Sequence, residues 1–262
     1  MSDDAVPAIT FPVMKGAEPW SCEADAPNAP GALVIYGFTG NPGSMRGLAE
    51  AFAAAGFHVE MPRLPGHGTA LEEMLTTSWS DWLGEAEAAY RRLVQRASKV
   101  VVAGLSMGGT LTLRIGADHP EVSGLVCVNP ATQPQAPEVL DVLRGMLESG
   151  TDVMPGIGSD IADPDSKEDA YEGTPIMPLL SLVEEGLAPL ADRYPSMTMP
   201  LLLLTSPQDH VVDPAASDFL ASTYGGPVER VTLERSYHVA TQDYDKELIF
   251  ESAVAFARRV TS

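Results

Sequence analysis

Cysteine is nearly absent: the chain has 262 residues and two of them, Cys22 and Cys127, are cysteines. Two thiols cannot staple a disulfide scaffold, and no Cys/His spacing matches a metal site, so neither a disulfide framework nor a metal is expected. Cys127 lies in the apolar run LVCVNP and reads as a small core hydrophobe. Long apolar runs are missing too; none approaches the roughly 20 residues of a membrane span, which excludes stable membrane insertion. The start MSDDAVPAIT has neither the basic nor the apolar region of a secretory leader, so a cytoplasmic protein is expected. Basic charge is scarce, with 16 Lys and Arg against 36 Asp and Glu and a formal net charge of -20. Such a surface repels phosphate backbones and anionic headgroups, excluding nucleic acid and leaving small neutral molecules as candidate ligands. The carboxylates are dispersed along the chain and read as a solvated surface.

What is present is a rhythm of short apolar runs and helical patterns. ALVIYGF (32–38), FHVEMP (57–62), KVVVAG (99–104), GLVCVN (124–129), LLLLTS (201–206) and PVERVTLE (227–234) alternate with helical segments. The alternation predicts an α/β fold with a mostly parallel central sheet covered by helices on both faces. SMRGLAEAFAAAG closes at Gly56, SWSDWLGEAEAAYRRLVQRA opens on serine and acidic residues and ends on arginines, and a last helix spans about 246–259. The rhythm breaks at 131–195, which is rich in Pro, Gly and acidic residues. This stretch is expected to be an inserted cap on a core formed by 1–130 and 196–262. Within it Thr174 and Pro175 predict a helix start, and IMPLLSLVEEGLAPL is apolar enough to face either the core or a substrate cleft.

The chemistry centres on VAGLSMGG, residues 102–109. A lone G-x-S-x-G arises by chance, but here KVVVAG precedes it as a strand and MGGTLTLRIGADHP follows as a helix. In that strand-turn-helix context Ser106 sits at a sharp elbow, Gly104 and Gly108 permit close approach of strand and helix, and Gly109 adds clearance. A serine nucleophile needs a base and an orienting carboxylate, expected in the order Ser, Asp or Glu, His. Asp209 follows a strand in SPQDHVVDP and is favoured over Asp213. His238 follows the next strand in RSYHVATQDYD. Among the five histidines, His58 falls in a strand, His67 in the turn LPGHG, His119 at a helix end and His210 beside the acid, leaving His238 as the base. The oxyanion hole is expected from the backbone amides of Phe38, in the glycine-rich turn YGFTGNPGS, and Met107, which follows the nucleophile.

On these residues the chain resembles the α/β-hydrolase family, and within it the bacterial monoacylglycerol lipases and related small carboxylesterases. GFTGNPGSMRGLAEAFAAAGF, LPGHGT, GLSMGG, SDIADP with KEDAY, SPQDHVV and SYHVATQDYDKELI carry the resemblance from about Gly37 to the last helix. It implies the Ser106, Asp209, His238 triad, the Phe38 and Met107 amides, and a channel between cap and core admitting one acyl chain. It further implies that Glu168 contacts glycerol hydroxyls and that Ile157 lines the nearby passage. Tyr36 is a departure, because relatives usually carry histidine before the GFTG glycine. The expected activity is hydrolysis of monoacylglycerols through an acyl-enzyme, without a cofactor, by a monomer or weak dimer. The alternatives are a broad carboxylesterase on short to medium acyl esters and, remotely, a noncatalytic binding protein of the same fold. Haloalkane and epoxide chemistry is disfavoured because those relatives place aspartate where this chain has Ser106.

Overall fold

The computed structural model describes residues 11–262, so the opening stretch MSDDAVPAIT, on which the expectation of no secretory leader rests, lies outside the described residues. In chain order the core opens with β1 (Trp20–Cys22), β2 (Gly31–Ile35), α1 (Arg46–Ala54), β3 (His58–Met61), α2 (Leu71–Met74) and α3 (Trp79–Val94). It continues with β4 (Val100–Leu105), α4 (Met107–Asp118) and β5 (Gly124–Val128). The segment after β5 holds α5 (Pro137–Glu148), the short strands β6 (Val153–Pro155) and β7 (Gly173–Pro175), α6 (Ile176–Ser181) and α7 (Ala188–Ala191). The chain then completes the core with β8 (Leu201–Thr205), α8 (Ala215–Thr223), β9 (Val228–Thr232) and α9 (Lys246–Thr261).

The main sheet has seven strands in the order β1-β3-β2-β4-β5-β8-β9, and every pairing except β1 with β3 is parallel. All residues of β2, β4, β5 and β8 are buried, which is why these strands read as continuous apolar runs rather than alternating ones. The edge strand β9 is VERVT, and its exposed, charged Glu229 and Arg230 discourage pairing with another chain. α3 begins with a reciprocal capping box between Ser78 and Asp81 and ends on Arg91 and Arg92, as the charge pattern predicted. α9 buries Ile249, Ala253, Phe256 and Ala257 on the sheet side. The strand β1, three residues long, carried too little pattern to be predicted. Cys22 and Cys127 are both free thiols, Cys127 fully buried with burial pushing its thiol pKa up.

Between β5 and β8 the chain leaves the sheet. β6 and β7 form an antiparallel pair apart from the main sheet, and α6 runs through a π-turn at Leu182–Leu187 into α7. Leu143 of α5 and Ile176 and Leu180 of α6 build a small apolar cluster of their own. The helix start expected at Thr174 and Pro175 is corrected here. Pairing of Pro175 with Val153 holds Pro175 extended (φ -72, ψ 125), so both residues end β7 and the helix begins at Ile176. Among the described residues no helix is long and apolar enough to cross a membrane.

Candidate active site

The C-terminal edge of the parallel strands is where loops from several elements converge, and Phe38, Ser106, Asp209 and His238 each lie on such a loop. Ser106 directly follows β4 and precedes α4, with φ 56 and ψ -120. A positive φ is sterically unfavourable for a non-glycine residue and persists only where neighbours over-determine it. Here the Ser106 amide donates to the Val128 carbonyl (3.0 Å), and the Ser106 carbonyl accepts from Gly109 (2.9 Å) and Thr110 (3.2 Å). The glycines are needed for packing: a Cβ on Gly104 would overlap the Gly108 carbonyl, and one on Gly108 would overlap the Ile35 carbonyl. The elbow therefore presses α4 against both its own strand and β2.

Asp209 and His238 are brought together from the loops after β8 and β9. His238 Nδ1 lies 2.7 Å from Asp209 Oδ2, and the two side chains are 8% and 2% exposed. Because a carboxylate only accepts, Nδ1 carries the proton and Nε2 is left with its lone pair. The second carboxylate oxygen of Asp209 accepts the amides of Val211 (2.8 Å) and Val212 (2.9 Å), fixing its orientation. Asp213, the rival acid, caps the start of α8 by accepting from Ala215 (2.9 Å). The other histidines are otherwise engaged. His58 accepts from the Ala24 amide (3.0 Å), His119 lies 3.0 Å from Glu87, and His210 lies 2.8 Å from Asp160.

Phe38 and Thr39 follow Gly37, whose Cα region lies against Ser106, since a Cβ there would come 3.2 Å from Ser106 Cβ. Thr39 also has positive φ, 62. The Phe38 ring packs edge-on against Trp82 and His67, at 5.6 and 6.5 Å between centroids. His67 is fully buried, and burial lowers its pKa to about 4, so it packs as a neutral ring. Tyr36, the departure from the family pattern, is also fully buried, and its hydroxyl accepts from the Leu64 amide at 2.6 Å. The loop carrying Phe38 is thus anchored to the LPGHG turn. The Met107 amide belongs to the first turn of α4, where backbone donors lack intrahelical acceptors.

A cavity of about 300 Å³ opens at Ser106, lined by Phe38 and Met107 from the core and by Leu143, Met154, Leu179, Leu182, Val183 and Leu187 from the segment after β5. Ile157, half exposed, lines it as well. Glu168 is absent from this apolar lining. Its carboxylate instead approaches Gly40, where a Cβ would meet Glu168 Oε1 at 2.8 Å, and its main-chain amide donates to Ser159 Oγ (2.9 Å). Burial raises the Glu168 pKa to about 7, opposed by the nearby His238 and by Ser44. Sequence reasoning missed Asn129, which lies at the end of β5 with φ 43. Its amide group donates to the carbonyls of His238 (2.9 Å) and Tyr237 (3.3 Å) and accepts from the Ser206 amide (2.8 Å). Only the NP dipeptide after the strand, a turn signal, hinted at it.

A doubly covered, mostly parallel sheet with serine at a strand-turn-helix elbow defines an α/β-hydrolase. More particularly, the chain belongs to the family described as "Serine aminopeptidase, S33", whose model matches residues 31–245. It is 42% identical over 250 residues to the thermostable monoacylglycerol lipase of Bacillus sp. (strain H-257), spanning 94% of this chain and 96% of that protein. To a carboxylesterase of Bacillus subtilis (strain 168) it is 23% identical over 230 residues, 87% of this chain and 92% of that one. A solved structure from work on LipS and LipT, two metagenome-derived lipolytic enzymes, is 41% identical with a TM-score of 0.88, covering 95% of this chain and 100% of that one. The monoacylglycerol lipase of Paleococcus ferrophilus shares the fold, with a TM-score of 0.73 at 18% identity over 93% of this chain and 99% of that one.

Proposed function

We propose that this protein is a carboxylic ester hydrolase that cleaves monoacylglycerols into fatty acid and glycerol, with Ser106, His238 and Asp209 as its triad. The observation that carries the reading is the cavity: a serine at a strained elbow opens onto an apolar space of about 300 Å³, room for one acyl chain. Residues 131–195 act as its cap over a core of 1–130 and 196–262. His238 Nε2 takes the Ser106 hydroxyl proton as Oγ attacks the ester carbonyl carbon. The carbonyl oxygen, now negative, is held by the Phe38 and Met107 amides. His238, with Asp209 stabilising the imidazolium, returns the proton to the departing glycerol oxygen. Water then repeats the sequence on the acyl-enzyme and frees the fatty acid.

Glu168 supplies the alcohol side. A partly buried carboxyl beside Gly40 and near His238 would bond glycerol hydroxyls without entering the acyl cavity. The 42% identity to a monoacylglycerol lipase supports the same substrate class. A second reading, a general carboxylesterase, is favoured by the lining itself, because an apolar cavity selects an acyl chain and says nothing of the alcohol. Fatty-acid release measured by pH-stat separates them, using a monoacylglycerol and the methyl ester of the same acid, with Ser106→Ala as control. A preference for the glycerol ester supports the first reading; equal rates support the second; release by Ser106→Ala would overturn both. The expected assembly is a monomer or weak dimer, which sedimentation velocity checks.

A further inference from the structure

His238 hangs on an irregular loop between β9 and α9, so something must hold its main chain where the imidazole meets Asp209. The structure contains such a support, and it comes from the segment between β5 and β8. Asp160 Oδ2 accepts the main-chain amide of His238 at 3.0 Å and that of His210 at 3.2 Å. Its Oδ1 lies 2.8 Å from His210 Nδ1, and its carbonyl accepts the Val239 amide at 3.0 Å. His210 immediately follows Asp209, so one carboxylate, only 13% exposed, grips the loop of the base and the loop of the orienting acid together.

A second carboxylate answers from the core. Asp243 is fully buried, and its Oδ2 accepts the amides of Ala162 (2.7 Å) and Tyr237 (2.8 Å). Its Oδ1 accepts those of Asp163 (3.0 Å) and Tyr244 (2.8 Å). Residues 160–163 are thereby spliced into the His238 loop from both sides. Bonds of an amide to a charged carboxylate are roughly twice as strong as neutral ones, which suits them to fixing a loop.

We infer that Asp160 is a positioning residue that sets the His238–Asp209 pair. This inference rests on the triad reading above. Its consequence is that residues 160–163 belong mechanically to the catalytic loops, and any opening of the cap takes place elsewhere, in α5 or the α6–α7 rod. Removing Asp160 should slow every ester, including those that make no use of the cap.

The test compares Asp160→Ala and Asp160→Asn on p-nitrophenyl acetate and on a monoacylglycerol, with kcat referred to sites counted by a fluorophosphonate probe. Misplacing a reacting group by about 1 Å costs on the order of 100-fold, so Asp160→Ala should lose about 10- to 100-fold in kcat on both esters, with KM within about twofold. Asparagine keeps an oxygen for both amides, and its nitrogen can donate to a His210 ring whose Nδ1 is unprotonated, so Asp160→Asn should recover most of the loss. Asp160→Ser, which reaches one amide at best, takes the place of alanine should that variant not fold, with the same split at smaller size. Wild-type kcat in the alanine or serine variant, a loss confined to KM, or an asparagine variant as slow as alanine would overturn the inference. Failure of the triad reading would show separately, as p-nitrophenyl acetate turnover by Ser106→Ala.

Discussion

Asp209→Asn isolates the role of one proton. The change is nearly isosteric, and the two valine amides on Asp209 Oδ1 dictate how the new side chain must sit. They require the amide oxygen, so the NH₂ is left facing His238 Nδ1 at the position now held by Oδ2, 2.7 Å away. Two donors cannot share that contact, and a flip of the amide would set NH₂ against two N–H groups instead. The imidazole must therefore move its proton to Nε2, where it can no longer take one from Ser106. A wrong tautomer of this kind costs on the order of 10⁴-fold in kcat, about 5.4 kcal/mol at about 1.36 kcal/mol per tenfold. The assay is kcat on p-nitrophenyl butyrate at pH 7.5, beside a thermal melt to show that the fold persists. A variant retaining a tenth of wild-type kcat would refute the assignment of Asp209 as the orienting acid.

Glu168→Gln tests the partly buried carboxyl. Its folded pKa, about 7, stands above the ordinary 4.5, so the native state binds the extra proton and stability falls as pH rises from about 4.5 to 7. The glutamine variant should match wild type near pH 4.5 and exceed it by up to about 3 kcal/mol at pH 8, read by urea unfolding at both values. Its KM for a monoacylglycerol should rise while that for the methyl ester holds. Leu179→Trp should fill part of the acyl cavity; kcat/KM for a lauroyl ester should drop tenfold or more while the acetyl ester stays within about threefold, since pocket methylenes are worth about 1–3 kcal/mol each. Gly104→Ala should destabilise by at least about 3 kcal/mol, because the added methyl meets the Gly108 backbone and Thr112 Oγ1 at 2.6 Å, and neither can retreat from the elbow. A melting temperature within a few degrees of wild type would contradict it.

Most of the sheet was legible because fully buried parallel strands are short runs of Val, Leu and Ile, and such runs are conspicuous between amphipathic helices. The strand pattern failed where burial was partial or the element very short, as at β1 and the β6–β7 pair. There, three residues carry no period, and pairing partners decide the backbone. Thr174 and Pro175 show the point: their local chemistry favours a helix start, yet pairing with Met154 and Val153 keeps them extended.

By itself the sequence determined the elbow at Ser106, since its strain and clearance are resolved within a few consecutive residues and glycine spacing is their direct trace. It also specified the order and loop positions of Asp209 and His238, because both follow the ends of strands that the sequence makes conspicuous. Only the tertiary structure decided what those loops rest on. Asp160 and His238 are 78 residues apart, and Asp243 and Ala162 are 81 apart. No periodicity records such pairings; one aspartate among 36 acidic residues looks like another until the fold sets its carboxylate against main-chain amides. The same holds for Glu168, whose raised pKa comes from burial that the acidic run around it gave no reason to expect.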